Sequence, residues 1–306
     1  MRNDSDSMQI QIRVPATSAN LGAGFDCLAV AFNLWNQATV DFSGKGYHVH
    51  VNGEGEGILP EDADNLIIKS FLFTLEKLGI QAPAGVRFDC ENHIPMGSGM
   101  GSSATAVLIG VIAATTLNPE YENKDTWLQF SGELEGHADN VAAAIFGGLV
   151  AVRKTGDRYK TLLYDIEPEN AVVVLPTVNL STHAARKALP QNVPMADAVS
   201  NISRIPAILE GLRTGDVDLL RDGLVDKLHQ PYRLPLIPGS ADAIQKANAL
   251  GAASALSGAG PSVIAFMPVN PEETANAMSQ CFANNGLTCR IYHLEMINRG
   301  AQVTRL

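Results

Sequence analysis

Residues 95–106, PMGSGMGSSATA, leave this chain little conformational choice. Glycines occupy alternate positions, Gly97, Gly99 and Gly101, and Ser102, Ser103 and Thr105 follow them. From Ala104 to Leu117 the sequence is apolar on nearly every helical face, and a helix without a polar face must be buried. Upstream, Val86, Phe88 and Cys90 alternate with polar residues as a strand that feeds the loop through His93 and Ile94. The segment therefore predicts a strand, a glycine loop and a central helix in immediate succession. Glycine admits positive φ and lets a ligand approach the main chain, while a helix N-terminus presents unpaired N–H groups and a positive dipole end. Such an arrangement is an anion site, and phosphate is its usual occupant. The alternative is an ordinary flexible Gly/Ser connection.

Two familiar phosphate motifs are excluded on residue identity. G-x-x-x-x-G-K-[ST] requires glycine five residues after Gly97, where Ser102 stands, and a lysine, which is missing. G-x-G-x-x-G requires glycine where Ser102 stands, at the first strand-to-helix turn, whereas this loop lies about a third of the way along the chain.

With 306 residues the chain approaches the upper limit for one hydrophobic core, which favours two domains. The expected boundary lies between 155 and 180, giving domains 8–165 and 166–306. The formal net charge of -10 and pI of about 5.1 argue against nucleic acid or a membrane surface as partner, since both need basic patches. A local group of arginines can still receive an anionic substrate. Cys27, Cys90, Cys281 and Cys289 are far apart and read as free thiols in a reducing compartment. Residues 1–7 have no apolar segment of a secretory signal and read as a disordered extension, with the ordered chain starting at Met8. No apolar run is long enough to span a bilayer, so a soluble cytoplasmic protein is expected.

Period-2 alternation at Ile10, Ile12 and Val14 predicts a strand that Pro15 ends, and PATSANLGAGFD (15–26) then reads as a shaped loop. Strands are expected over 27–42, around 47–51, and at 149–153, 159–164 and 171–176. Asn65 and Gly79 bracket an amphipathic helix over 66–78, and further helices are expected at 126–135, 196–212, 217–228 and 271–284. Short strands at 253–257 and 263–267 flank SGAGP, and a strand at 288–294 follows.

The glycine loop matches P-x-G-x-G-L-G-S-S-A and resembles the signature of the GHMP kinases, with Met100 where leucine is usual. PATSANLGAGFD and LSGAGPSVIAF (256–266) resemble the first and third motifs of that superfamily, in the correct order. A narrower resemblance, to the homoserine kinases, rests on PATSANLG-x-GFD, GHADNVA-x-A-x-FGG (136–148), ST-x-x-AR (181–186) and QPYR (230–233). The resemblance implies an α+β fold of two domains with the ligands in the cleft between them. The N-terminal domain would be like the second domain of ribosomal protein S5 and the C-terminal domain a ferredoxin-like α/β sandwich. It implies ATP-dependent phosphorylation of the side-chain hydroxyl of L-homoserine, a step toward threonine, by a homodimer.

Residue roles follow from the same resemblance. Pro95, Met96, Gly97, Ser98, Gly99, Met100, Gly101, Ser102, Ser103, Ala104 and Thr105 would cradle the ATP phosphates, main-chain N–H groups replacing a lysine. Asn20, Asp26, His137 and Asn140 would hold the amino or hydroxyl end of the substrate, and Arg186, Arg233 and Thr182 its carboxylate, with Gly260 alongside. Guanidinium groups suit a carboxylate and Asp suits an ammonium group, so paired clamps of opposite charge fit an amino acid. Mg²⁺ would take Ser102 or Ser103 and either Glu133 or Glu135, with Glu135 preferred. Asn140, with Asp139 and Ser103, would line the reacting centre, and because Asn takes no proton at neutral pH, positioning and electrostatics would replace a general base. Gly99→Val is expected to abolish nucleotide binding with the fold intact. Each residue also has a plainer role: Asx turns for Asn20 and Asp26, a core histidine, surface arginines, a tight turn at Gly258 and Gly260. The rival functions are another small-molecule GHMP kinase, a nucleotide sensor without turnover, and a nucleotide-dependent dehydrogenase.

Overall fold

The computed structural model describes residues 9–306, so the extension expected at 1–7 and the start at Met8 lie outside the described residues. The chain begins with β1 (Gln9–Ala19), β2 (Leu28–Asp41) and β3 (Gly46–Gly53), then α1 (Leu66–Leu78), β4 (Gly85–Asn92) and α2 (Ser102–Thr115). The α1 boundaries agree with the sequence reading. Asn65 Oδ1 accepts from Ile67 N–H, and Gly79, at φ 65°, closes the helix in the left-handed region. Next come α3 (Lys124–Glu135), α4 (Asp139–Phe146), β5 (Leu149–Thr155) and β6 (Arg158–Tyr164).

These strands form one sheet in which β1 and β4 flank β2, β3 runs parallel to β4, and β5 pairs with the far end of β2 and with β6. Almost every residue of α2 is buried, among them Val107, Leu108, Val111 and Ile112, as its all-round apolar sequence requires. The same core takes in Ile10, Ile12, Phe71, Phe88 and Val141.

The second part opens with β7 (Asn170–Pro176), α5 (Thr182–Lys187), α6 (Met195–Thr214), α7 (Val217–Gly223), α8 (Gln230–Arg233) and α9 (Ser240–Ala249). It continues with β8 (Ala253–Leu256), β9 (Val263–Phe266), α10 (Pro271–Ala283) and β10 (Cys289–Glu295). Its sheet is antiparallel in the order β10-β7-β9-β8, the outer-inner-inner-outer order of a ferredoxin-like unit. The chain then returns, and β11 (Gln302–Arg305) pairs with β1 at the edge of the first sheet. The architecture is thus the mixed, two-part α and β arrangement expected. Among the described residues no helix is long and apolar enough to cross a membrane.

Two expectations are corrected. Pro15 does not end β1: the strand continues to Ala19 through a bulge between Pro15 and Ala16. Proline cannot donate to a ladder, but at a bulge the ladder is already interrupted. The continuation carries Thr17, Ser18 and Asn20, expected in a loop, to the junction of the two sheets. The helix expected over 217–228 stops at Gly223, because the Asp226 carboxylate accepts from the N–H groups of Leu228, His229 and Gln230 and starts α8 instead.

Candidate active site

The glycine loop is where the motifs meet, and its glycines serve different ends. Gly97, Gly99 and Gly101 all have positive φ, at 62°, 77° and 77°. A Cβ on Gly99 would lie 2.1 Å from the Ser257 carbonyl oxygen, and one on Gly101 would lie 2.3 Å from Thr17 Oγ1. Among the described residues nothing lies within 4 Å of the Cβ position of Gly97. So Gly99 admits the SGAGP loop and Gly101 admits β1. Hydrogen bonds complete the junction: Ser257 Oγ donates to the Gly99 carbonyl at 2.8 Å and, its one proton so used, accepts from Ser18 Oγ at 3.0 Å. Thr17 N–H donates to Met100 O and Gly258 N–H to Ala19 O. The expectation that Gly99→Val spares the fold is therefore corrected, since its side chain would strike the backbone of the neighbouring loop.

A cleft of about 410 Å³ opens over this junction. No side chain caps α2, so the N–H groups of its first turn are free to meet an anion. Gly97, Ser98, Gly99, Gly101, Ser102, Ser103 and Ala104 line the cleft. Four residues expected in the cradle do not. Met100 and Thr105 are buried, Thr105 taking the Asn36 amide at 3.2 Å, and Pro95 accepts from Ser98 Oγ. Met96 lines an adjoining, mostly apolar groove of about 220 Å³ with Leu59, Ile67 and Ile109.

The opposite wall gathers Asn20, Asp26, His137, Asp139, Asn140, Thr182, Arg186, Arg233 and Gly260, drawn from loops and helices of both parts of the chain. Asp26 and Arg186 face each other as a bidentate pair, with Nη1 to Oδ2 at 2.9 Å and Nη2 to Oδ1 at 2.7 Å. That hydrogen-bonded carboxylate raises the pKa of Arg186. Asn20 Oδ1 accepts the Asp26 N–H at 2.9 Å and both residues have positive φ, so Asn20 does act as a turn residue and holds Asp26 in place.

Arg233 is only 1% exposed. Burial and the nearby Arg186 charge draw its pKa down, opposed by Asp26, Asp226 and Asp139. Its guanidinium lies 5.1 Å from the centre of the Phe25 ring, which also carries Arg186 at 5.7 Å. Phe25 thus carries both guanidinium groups, that of Arg186 already paired with Asp26.

Asp139 is 1% exposed at the start of α4, and its Oδ1 accepts from the Asn140 N–H and lies 2.9 Å from His137 Nδ1. The hydrogen bond to Asp139 raises the pKa of His137 against the effect of burial. Thr17, absent from the residues singled out in the sequence, donates through Oγ1 to Asn140 Oδ1 at 2.8 Å. With its carbonyl oxygen so engaged, Asn140 lines the cleft beside the glycine loop. The signal for Thr17 was its place inside PATSANLG; nothing in its residue type marked it.

Glu135 Oε1 accepts from Ser103 Oγ at 2.7 Å at the mouth of the loop, whereas Glu133 pairs with Lys77 at 2.6 Å. Hard oxygen donors beside an anion site fit Mg²⁺, which needs only one or two protein ligands when phosphates supply others. Among the described residues no three His, Cys, Asp or Glu side chains form a metal cluster of their own.

Residues 65–148 match the family described as GHMP kinases N terminal domain, and residues 208–284 match GHMP kinases C terminal. The chain is 40% identical over 294 residues to the homoserine kinase of Moorella thermoacetica, covering 95% of this chain and 99% of that protein. It is 36% identical over 297 residues to that of Desulfitobacterium hafniense, with 96% and 99% covered. The crystal structure of homoserine kinase from Cytophaga hutchinsonii superposes with a TM-score of 0.84 at 30% identity, covering 99% of this chain and all 100% of that one.

Proposed function

The chain belongs to the homoserine kinase family of GHMP kinases, and we propose that its central cleft performs that family's phosphoryl transfer as follows. The protein is an ATP-dependent kinase of L-homoserine. One observation carries the assignment of its site: an uncapped helix N-terminus in a glycine loop faces two arginines and an aspartate across a single cleft.

The triphosphate lies along Gly97 to Ala104 and takes main-chain N–H groups at the start of α2, which do not have to reorganise as charge builds during transfer. The apolar groove beside Met96 receives the base. Ser103 and Glu135 hold Mg²⁺, with Ser102 next to them; when bound, the ion neutralises charge on the phosphates. The substrate's carboxylate meets Arg233 and Arg186, its ammonium meets Asp26, and Thr182 and Gly260 close the site around them. A zwitterion offers each member of the Asp26–Arg186 pair a partner of the correct sign, so binding exchanges one ion pair for two.

The hydroxyl end then lies toward Asn140, whose NH₂ orients the attacking oxygen. Asp139 acts through His137 and the start of α4, since its carboxylate is already engaged by both. A cytoplasmic homodimer is part of the same proposal. The family supports it, as does an exposed row along α6 formed by Met195, Val199 and Ile202. Purified protein with Mg·ATP should release ADP only when L-homoserine is added; turnover of mevalonate or a sugar in its place would overturn the reading.

A further inference from the structure

His229 immediately precedes the QPYR segment, and its imidazole is fully buried. Burial drives its pKa down to about 4, against the pull of Asp226 and with the push of Arg233, so the ring is neutral near neutral pH. A neutral imidazole has one donor and one acceptor nitrogen, and its neighbours decide which is which. Nε2 lies 2.9 Å from the Gly22 carbonyl oxygen, which can only accept. Nδ1 lies 3.3 Å from Arg233 Nη1, which can only donate. The proton therefore resides on Nε2, and Nδ1 receives the guanidinium. Phe25 fixes the ring plane by stacking at 5.2 Å and 21°, and Asp226 fixes the backbone by accepting the His229 N–H at 2.9 Å.

The other anchors of Arg233 are of similar length but go to carbonyl oxygens: Nε to Ala185 O and Nη1 to Gly258 O, both at 3.4 Å. A long arginine side chain has much rotamer freedom to lose before its guanidinium is fixed. Carbonyl oxygens at that distance accept over a broad range of directions, whereas a ring nitrogen accepts only in its own plane.

We infer that His229 is a positioning residue for recognition of the substrate carboxylate, setting through Nδ1 the rotation at which the Arg233 guanidinium faces the cleft. This rests on Arg233 being a carboxylate clamp. The two ring contacts can be separated, because Asn places an acceptor where Nδ1 stands and Gln places a donor where Nε2 stands.

His229→Gln should raise KM for L-homoserine roughly tenfold, about the worth of one hydrogen bond to a charged group, with kcat and KM for ATP unchanged. With 3-aminopropan-1-ol, which lacks the carboxylate, the same variant should match the parent, and His229→Asn should retain homoserine affinity. In an Arg233→Met background, His229→Gln should add nothing. Equal losses on both alcohols, or additive losses with Arg233→Met, would assign His229 a purely structural role and overturn the inference. If Arg233→Met itself leaves KM for homoserine unchanged, the clamp reading fails and this inference fails with it. Should His229→Gln not fold, an Asn variant that folds yet loses the preference for homoserine over 3-aminopropan-1-ol is the contrary result.

Discussion

The two walls of the cleft are built by different means, and in the proposed function they recognise their ligands differently. On the proposed phosphate wall the donors would be main-chain N–H groups, placed by consecutive residues of the glycine loop and the uncapped start of one helix. The proposed amino-acid wall would use charged and polar side chains from the β1–β2 loop, from α4 and the residues just before it, from α5 and from α8, with Asp26 and Arg186 alone 160 residues apart. A triphosphate is a repeated anion that any suitably aimed N–H can meet. A zwitterion needs two opposite charges at one separation, which only side chains held on a rigid frame can supply. Damage should therefore spread differently on the two sides: loop changes disturb the junction of both sheets, and clamp changes act on one substrate.

The largest effect is expected on the loop. Gly99→Val places its Cβ against the Ser257 carbonyl, where bare geometry leaves 2.1 Å. Overpacking typically costs about 1–3 kcal/mol, so a lower melting temperature should accompany loss of ATP binding. Gly97→Ala, with open space at its Cβ, should weaken ATP binding while its stability loss stays near the roughly 1–2 kcal/mol of a left-handed residue. Calorimetric melting and nucleotide titration of both variants check this; similar melting temperatures for the two would remove the distinction between Gly97 and Gly99.

Next in size is Arg233→Met. Charge-assisted hydrogen bonds contribute about 1.5–3 kcal/mol, so KM for homoserine should rise roughly 10- to 150-fold while KM for ATP holds. Steady-state kinetics in each substrate decides it, and a parallel rise in both constants would erase the division between the walls.

Thr17→Val keeps the shape beneath Gly101 and removes the hydroxyl that engages Asn140 Oδ1. A neutral hydrogen bond of about 0.5–1.5 kcal/mol corresponds to a fall in kcat of up to roughly tenfold, with both KM values little altered. Single-turnover measurement of phosphoryl transfer reads this directly, and an unchanged rate would show that the amide is held by other means.

The smallest effect belongs to Asp139→Asn. Asp139 raises the pKa of His137 in the folded protein, so the pair stabilises fully below about 6.5, the ordinary histidine value, and that contribution disappears as pH rises through the raised folded value. The variant should therefore lose more stability at pH 6 than at pH 9, and NMR titration of His137 should move down. A stability loss independent of pH would assign Asp139 to α4 alone.

The same contrast explains what was legible in the sequence. Alternate glycines running into an all-apolar segment announce a phosphate loop because the signal is local, and α1 could be bounded to the residue because Asn65 and Gly79 are local signals too. The clamps had no such signature: Asp26, Arg186 and Arg233 were identifiable only through motifs shared with a family, since no periodicity relates residues so far apart. Thr17 and His229 act through other side chains, and a residue whose only partner is another residue leaves no trace in composition or spacing. Pro15 misled for a physical reason, as its missing N–H ends most strands but is harmless at a bulge. The strand β11 is only four residues long, and α9 buries the small side chains of Ser240, Ala243 and Ala247, which announce no core face.

The central claim, that the amino-acid wall reads both charges of one zwitterion while the phosphate wall reads only ATP, is tested most directly by comparing three alcohols as phosphoryl acceptors. L-homoserine carries both charges, 3-aminopropan-1-ol lacks the carboxylate and 4-hydroxybutyrate lacks the ammonium group. The ADP-release assay should show kcat/KM falling at least roughly tenfold for each truncated alcohol, the worth of one charged contact, with KM for ATP the same throughout. Comparable kcat/KM for homoserine and either analogue would contradict the account.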